Sequence, residues 1–461
     1  MNTLLDKEID QCAVAIVGRN WTAALCHLEC ALQISPNDLR AALLQGKLQL
    51  SMQQHEKAHS TFSRLLSQLP NSVIVRSALI DCQMSIGQEV EAQLALDRLL
   101  SEHPSHPIVL AAAANTHELL AAFSTARFYY GKLLDISPNH DMRTLASKNL
   151  LRHEDWQRGW ELHESRRLDG SVSFGPFAVP PWNGLEEHPK NLNSNTRSIL
   201  IVAEQGIGDC LQFLRFLPLL EPYFDSINFL CHRQIQPLLK ASKKLSLWQI
   251  EDPPSFELTK SLNHHNIGCW APLMSLPYLL REHVPTDPQK SFQVLVRDES
   301  KSRIAFSEQT ERLRIGYCYT VNPLSETEIR PQTRRAVSKH RILQLVNEIV
   351  QAILGEGKNS RFAKLIEGFL VPALQKTRQP PEYFDLTIGS ERFRPNNFLE
   401  TCQILNTLDL VISVDTSIVH ACGIMGKPCI VITPKSSDWR WGETSFVSSW
   451  YSSVRILRYP W

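Results

Sequence analysis

Two stretches of this 461-residue chain place reactive side chains where a strand should hand over to a helix. The first, IVAEQGIGDCLQFLRFLP (Ile201 to Pro218), runs from an apolar segment through Gly206 and Gly208 to a single carboxylate, Asp209, and on into a helix-spaced apolar segment. An acid at such a corner serves either as a helix cap or as a proton acceptor on a turn that brings backbone close to a ligand. The stretch lacks the third glycine of a dinucleotide fingerprint. Glu204 and Gln205, just ahead of the glycines, are candidate contacts for an acceptor.

The second stretch is VISVDTSIVHACGIMGKP (Val411 to Pro428), a buried strand followed by Asp415, Thr416 and Ser417 where a helix should begin. A helix start leaves amide N–H groups unpaired and carries a partial positive charge, so a diphosphate could bind there without a basic patch. His420 falls one turn into that helix, either reaching the same ligand or packed beside it. GIMGKP is no phosphate loop, because Lys427 is followed by Pro428 rather than Ser or Thr. Thr320 and Asn322 in YTVNP, Arg335 in RRAVS and Arg440 in DWRWG could complete the neutralisation. No Asp-x-Asp occurs, so a carboxylate-held divalent ion is not supported, and neither metal nor cofactor is expected.

Composition narrows the setting. Lys plus Arg (48) nearly balance Asp plus Glu (47), which gives no field suited to nucleic acid or an anionic membrane. Eleven cysteines without a Cys-x-x-Cys pair argue against a disulfide framework or a zinc site, and for a reducing cytoplasm. Neither a signal peptide nor an apolar run of roughly 18 residues is read.

The elements that must hold these motifs fall into two classes. Pro36, Pro70, Pro104 and Pro138 are spaced 34 residues apart, as are Ala24, Ala58, Ala92 and Ala126. Large apolar residues follow each alanine at the fourth position (Leu28, Phe62, Leu96, Tyr130), the stripe of a helix that stops at the proline. A 34-residue helix-turn-helix unit of this kind resembles the tetratricopeptide repeat, four units long, with Asp155 to Leu168 as a fifth, slipped by one residue and capping the stack. Such a solenoid offers a groove for a protein partner or another subunit. Residues 1–168 are therefore expected to be helical repeats.

Residues 169–197, rich in Gly, Pro, Ser and Asn, read as an irregular linker. From Ser198 short β-type runs alternate with helical ones, the signature of parallel sheets whose ligands lie outside the strand carboxyl ends. Two series, 198–305 and 306–461, predict two Rossmann-like domains facing a cleft. The aromatic tail from Asp438 either stacks on sugar or base or, as the favoured reading, packs a last helix on the cleft wall.

Taken in order, ILIVAEQGIGDCLQFLRFLPLL, CWAPLMSLPYLL, YTVNP, RRAVS and LDLVISVDTSIVHACGIMGKPCIVITPKSSDWRW resemble the heptosyltransferase-like glycosyltransferases of family nine, in particular bacterial members that carry tetratricopeptide repeats ahead of them. The resemblance implies a GT-B fold, with nucleotide sugar bound by the second domain and acceptor by the first. It implies Asp209 as general base, and Asp415, Thr416, Ser417 and His420 against the donor diphosphate. Metal-independent inverting transfer to a glycan or protein hydroxyl is the activity expected; a scaffold that has lost activity is the rival reading.

Overall fold

The computed structural model of the chain describes residues 2–17, 20–168, 177, 179–185, 197–241, 248–251, 267–285, 312–321, 336–353, 362, 365, 380–387, 390 and 393–459. Its first part is a stack of antiparallel helix pairs: α1 (Asn2–Val17) with α2 (Trp21–Ile34), α3 (Leu39–Ser51) with α4 (His55–Gln68), α5 (Val73–Ser85) with α6 (Glu89–Glu102), α7 (Pro107–Leu119) with α8 (Phe123–Ile136), and α9 (His140–Arg152) with α10 (Trp156–His163).

The 34-residue period has a visible cause. Helices α2, α4, α6 and α8 stop two residues before Pro36, Pro70, Pro104 and Pro138, because a residue preceding proline is pushed out of the helical region. The next helix starts on a side-chain cap from Asp38, Ser72, His106 or Asn139. Ala24, Ala58, Ala92 and Ala126 are fully buried, since only a small side chain fits where the paired helices cross. At the same crossing a Cβ on Gly46 would lie 2.5 Å from the Phe62 ring. The turn inside the second to fifth pairs passes through a left-handed residue, at Gln53, Gly87, Ala121 and Glu154; the last comes one residue early, the slip expected for the fifth unit.

Bonds one period apart tie neighbouring units: Arg40 to Asp6 (2.7 Å), Asn115 to Asp81 (2.7 Å) and Arg152 to Glu118 (2.9 Å). Successive first helices α1, α3, α5 and α7 also touch one another, so they form the inner layer of the stack.

The remainder is built on two sheets, each wholly parallel. The first is ordered β3-β2-β1-β4, from β1 (Ser198–Val202), β2 (Ser226–Leu230), β3 (Trp248–Glu251) and β4 (Cys269–Pro272). The second is ordered β6-β5-β7-β8-β9, from β5 (Arg314–Cys318), β6 (Glu382–Asp385), β7 (Leu410–Val414), β8 (Cys429–Pro434) and β9 (Val454–Tyr459). SILIV, LVISV and CIVITP are buried along their whole length, as strands covered on both faces must be. Helices α11 (Ile207–Phe213), α12 (Gln236–Lys240) and α13 (Leu276–Leu279) accompany the first sheet. Helices α14 (Lys339–Ile353), α15 (Phe398–Asn406) and α16 (Ser417–Met425) accompany the second.

Three expectations change. The stretch after Leu214 tightens into a 3-10 helix running to Leu220, because Pro218 cannot continue an α-helix. The aromatic tail holds a 3-10 turn, Trp439–Trp441, and then strand β9 rather than a last helix: VRILRY buries Val454, Ile456 and Tyr459 and pairs with β8. The expected linker lies mostly outside the described residues, but its Pro180–Trp182 portion runs beside β4, with Trp182 N–H donating to the Trp270 carbonyl at 2.8 Å. That backbone covers a sheet edge.

The repeats do not hang apart from the sheets. Trp160 of α10 is 1% exposed and sits with Leu151 in one apolar core that runs through α11, α16 and the strands of both sheets. Its ring meets Phe213 and Trp439 edge-on at 5.8 Å and Trp450 at 6.2 Å, and its Nε1–H donates to the His283 carbonyl at 2.8 Å. The fifth unit thus does more than cap the stack: it plugs the junction of the two sheet lobes.

Candidate functional site

In each sheet the chain builds strands outward, then returns to the other side of its starting strand, so the order reverses at β1 and again at β5. Crevices open at the carboxyl ends of such strands. A cleft of about 1030 Å³ occupies that place, lined by Gln205 to Asp209 after β1, His232 and Gln234 after β2, Thr320 and Val321 after β5, and Asp415 to Ile418 and His420 after β7. Phe393 to Phe398, ahead of α15, and Asp438 and Arg440 close it.

Asp209 reaches the cleft through a strained corner. Gln205 has φ +61°, a left-handed value that turns the strand end into the start of α11. Gly206 is the cap residue, and its N–H donates to Asp209 Oδ2 at 2.9 Å, so the acid closes the helix start from its third position rather than capping it directly. The other carboxylate oxygen accepts from the Arg440 guanidinium.

Arg440 is the electrostatic centre of the site. It donates to Asp438 Oδ1 at 2.8 Å and to Gln212 Oε1 at 2.6 Å, and it stacks 4.5 Å from the centre of the Trp439 ring. Burial by itself would lower its pKa, but the charges of Asp209, Asp438 and Asp415 outweigh that and raise it. Burial likewise works against the Asp438 carboxylate, yet the Arg440 charge and hydrogen bonds bring its pKa down to about 2.

On the other side, α16 begins at Thr416, whose Oγ1 accepts from the Ile418 N–H at 3.3 Å; Asp415 stands outside that cap, 7% exposed. His420 is buried, its Nδ1 2.9 Å from the Tyr451 hydroxyl and its ring stacked on Trp441. Helices α11 and α16 meet where a Cβ on Gly208 would come within 2.8 Å of His420 Cδ2 and 3.6 Å of Ser417 Cα. Only glycine at 208 allows that approach.

Of the residues singled out in the sequence, Gln205, Gly206, Gly208, Asp209, Thr320, Asp415, Thr416, Ser417, His420 and Arg440 line this one cleft. Glu204 does not: it is 5% exposed and bound to Arg166. Asn322 and Arg335 lie outside the described residues. Sequence reasoning missed His232, Gln234 and the exposed Arg394. The last had a local signal, since Asn397 caps the start of α15 and Glu400 ties down the residue before it: Asn397 accepts from the Glu400 N–H at 3.1 Å, and Glu400 from the Asn396 N–H at 3.0 Å.

A family model for the tetratricopeptide repeat matches residues 50–116, and the N-terminal region is built of such repeats. No curated protein matches the chain. Among solved structures, a thermophilic TPR protein of Thermus thermophilus is 14% identical and covers 36% of this chain and 92% of its own, with a TM-score of 0.33. A tetratricopeptide repeat protein of Parabacteroides merdae is 14% identical over 35% of this chain and 64% of its own, at 0.25. The pilF protein of Pseudomonas aeruginosa is 15% identical over 35% and 76%, at 0.29. Among the described residues no helix is long and apolar enough to cross a membrane.

Proposed function

We propose that the chain is a glycosyltransferase of the heptosyltransferase-like kind, its two sheet lobes forming a GT-B pair of Rossmann-like domains, and that it transfers a sugar from a nucleotide sugar to a glycan or protein hydroxyl. The observation that carries this reading is the meeting of Asp209 from the first lobe with the Thr416–Ser417 helix start from the second on one cleft at strand carboxyl ends. The chemistry is a single displacement. An acceptor oxygen attacks the anomeric carbon, the bond from that carbon to the diphosphate breaks with its electron pair leaving on phosphate, and Asp209 takes the hydroxyl proton. Amides at the start of α16 stabilise the charge growing on the leaving diphosphate. The same diphosphate draws Arg440 away from Asp209 and so frees the carboxylate to act as base. The repeats recruit a protein partner or a second subunit.

A non-enzymatic scaffold is the second reading, and one observation favours it: both Asp209 oxygens are already engaged, by Gly206 and by Arg440. Incubation with labelled nucleotide sugars and either a lipid-linked glycan or a peptide separates the two. Transfer that disappears in Asp209→Asn supports the enzyme; no transfer to any acceptor leaves the scaffold.

A further inference from the structure

Arg166 follows α10, in the last turn of the helical region, and is 1% exposed. All five of its N–H donors are used. Nε and Nη2 grip the two oxygens of Glu204 at 2.9 and 2.8 Å, Nη2 also donates to Ser275 Oγ at 2.9 Å, and Nη1 donates to the His163 carbonyl at 3.1 Å and to Glu164 at 2.8 Å. Glu204 further accepts the Met274 N–H at 2.9 Å. A buried guanidinium this fully matched is rigid, because no rotation keeps all its bonds.

What it grips is the corner of the site. Glu204 directly precedes Gln205, whose left-handed backbone is unfavourable for a residue with a side chain and persists only where its surroundings hold it. Two clamps do so: Arg166 holds Glu204 on one side, and His232 Nε2–H donates to the Gln205 carbonyl at 3.0 Å on the other. Immediately beyond, the Gly206 N–H fixes Asp209. A continuous line of bonds therefore runs from the repeats to the acid in the cleft.

We propose that Arg166 is a positioning residue: acting through Glu204, it sets the turn that presents Asp209, so the end of the helical repeats completes the first lobe's half of the cleft. Only the kinetic consequence rests on the glycosyltransferase reading; the structural claim does not. The rival is a plain buried cross-link, whose loss would be felt over the whole junction.

The test uses the full-length chain and two variants. Arg166→Met combined with Glu204→Gln removes both charges together, so neither is left buried alone, whereas Arg166→Lys keeps the charge but loses the two-pronged grip. Amide hydrogen exchange is followed by peptide. The expected result is exchange faster by about tenfold or more in the segment holding residues 205–210, with the repeats and the second sheet unchanged, and a smaller change in the lysine variant. Turnover, measured on the same samples, should fall in kcat with the donor KM within about twofold, because the displaced group acts in the reaction rather than in donor binding. Exchange at 205–210 like that of the unaltered chain overturns the proposal, and so does loosening spread evenly over repeats and sheets. Should the double variant fail to fold, the lysine variant decides by the same exchange criterion. An unaltered chain that transfers no sugar would sink the glycosyltransferase reading and leave the exchange result to judge Arg166 alone.

Discussion

The Arg440 guanidinium, brought in by the second lobe, donates to the carboxylate of Asp209 from the first while holding Asp438 at 2.8 Å. Side-chain exposures of 10% and 18% put the Asp209 pair between the surface regime, where ion pairs contribute little, and the dry interior, where a lost partner is costly.

Asp209→Asn keeps an oxygen for the Gly206 N–H but cannot take a proton. Sugar transfer should fall by about 10²- to 10⁴-fold, the usual share of a positioned base, with little change in the unfolding midpoint because Asp438 still occupies Arg440. Initial rates with a radiolabelled donor measure it.

Arg440→Gln leaves Asp209, Asp415 and Asp438 around a site without its cation. Stability should drop by about 3 kcal/mol in urea unfolding at neutral pH, the lower end for breaking an enclosed pair. The deficit should narrow as acid neutralises the carboxylates.

Asp438 has its folded pKa lowered, from 3.8 to about 2. Its contribution is therefore complete above the unfolded value and disappears as pH falls from about 4 to about 2. Thermal melts across that range should show less acid loss in Asp438→Asn than in the unaltered chain; parallel curves would contradict the assignment.

Arg394 is exposed and lines the cleft, so Arg394→Gln should leave the melting temperature unchanged. If the cleft takes a diphosphate, donor affinity should weaken by about tenfold, ~1.4 kcal/mol, and the gap should close in high salt. Titration calorimetry with nucleotide sugar reads both.

Trp160→Ala empties a space bounded by aromatic rings from both lobes. A loss of about 3–5 kcal/mol is expected in the variant, while in the unaltered chain repeats and sheets unfold in one shared transition by circular dichroism and tryptophan fluorescence. Two separate transitions would contradict a common core.

What can be read from the sequence is local. The 34-residue spacing shows because each repeat packs on its neighbours, and the corners at Asp209 and Thr416 show because strand, turn and helix signals lie within a few residues. Glu204 reads as a ligand contact because its partner, Arg166, is 38 residues away and nothing in AEQGIGD announces it. The last helix expected in the aromatic tail is instead a 3-10 turn and strand β9, whose place beside β8 no local signal announces. Asn322 and Arg335 lie outside the described residues, so their place in the donor pocket is an expectation from the sequence alone.

One bond between distant parts of the chain bears on how the molecule is made. Arg152 donates to the carbonyl of Asp438, 286 residues further on. At about 5–20 residues per second, a ribosome takes roughly 15–60 s to deliver the second partner after the first. The earliest repeats can form as they emerge, but the final helix pair must wait while those 286 residues are made, with its tryptophans bare, and a chaperone that shields this stretch should raise the yield of native chains.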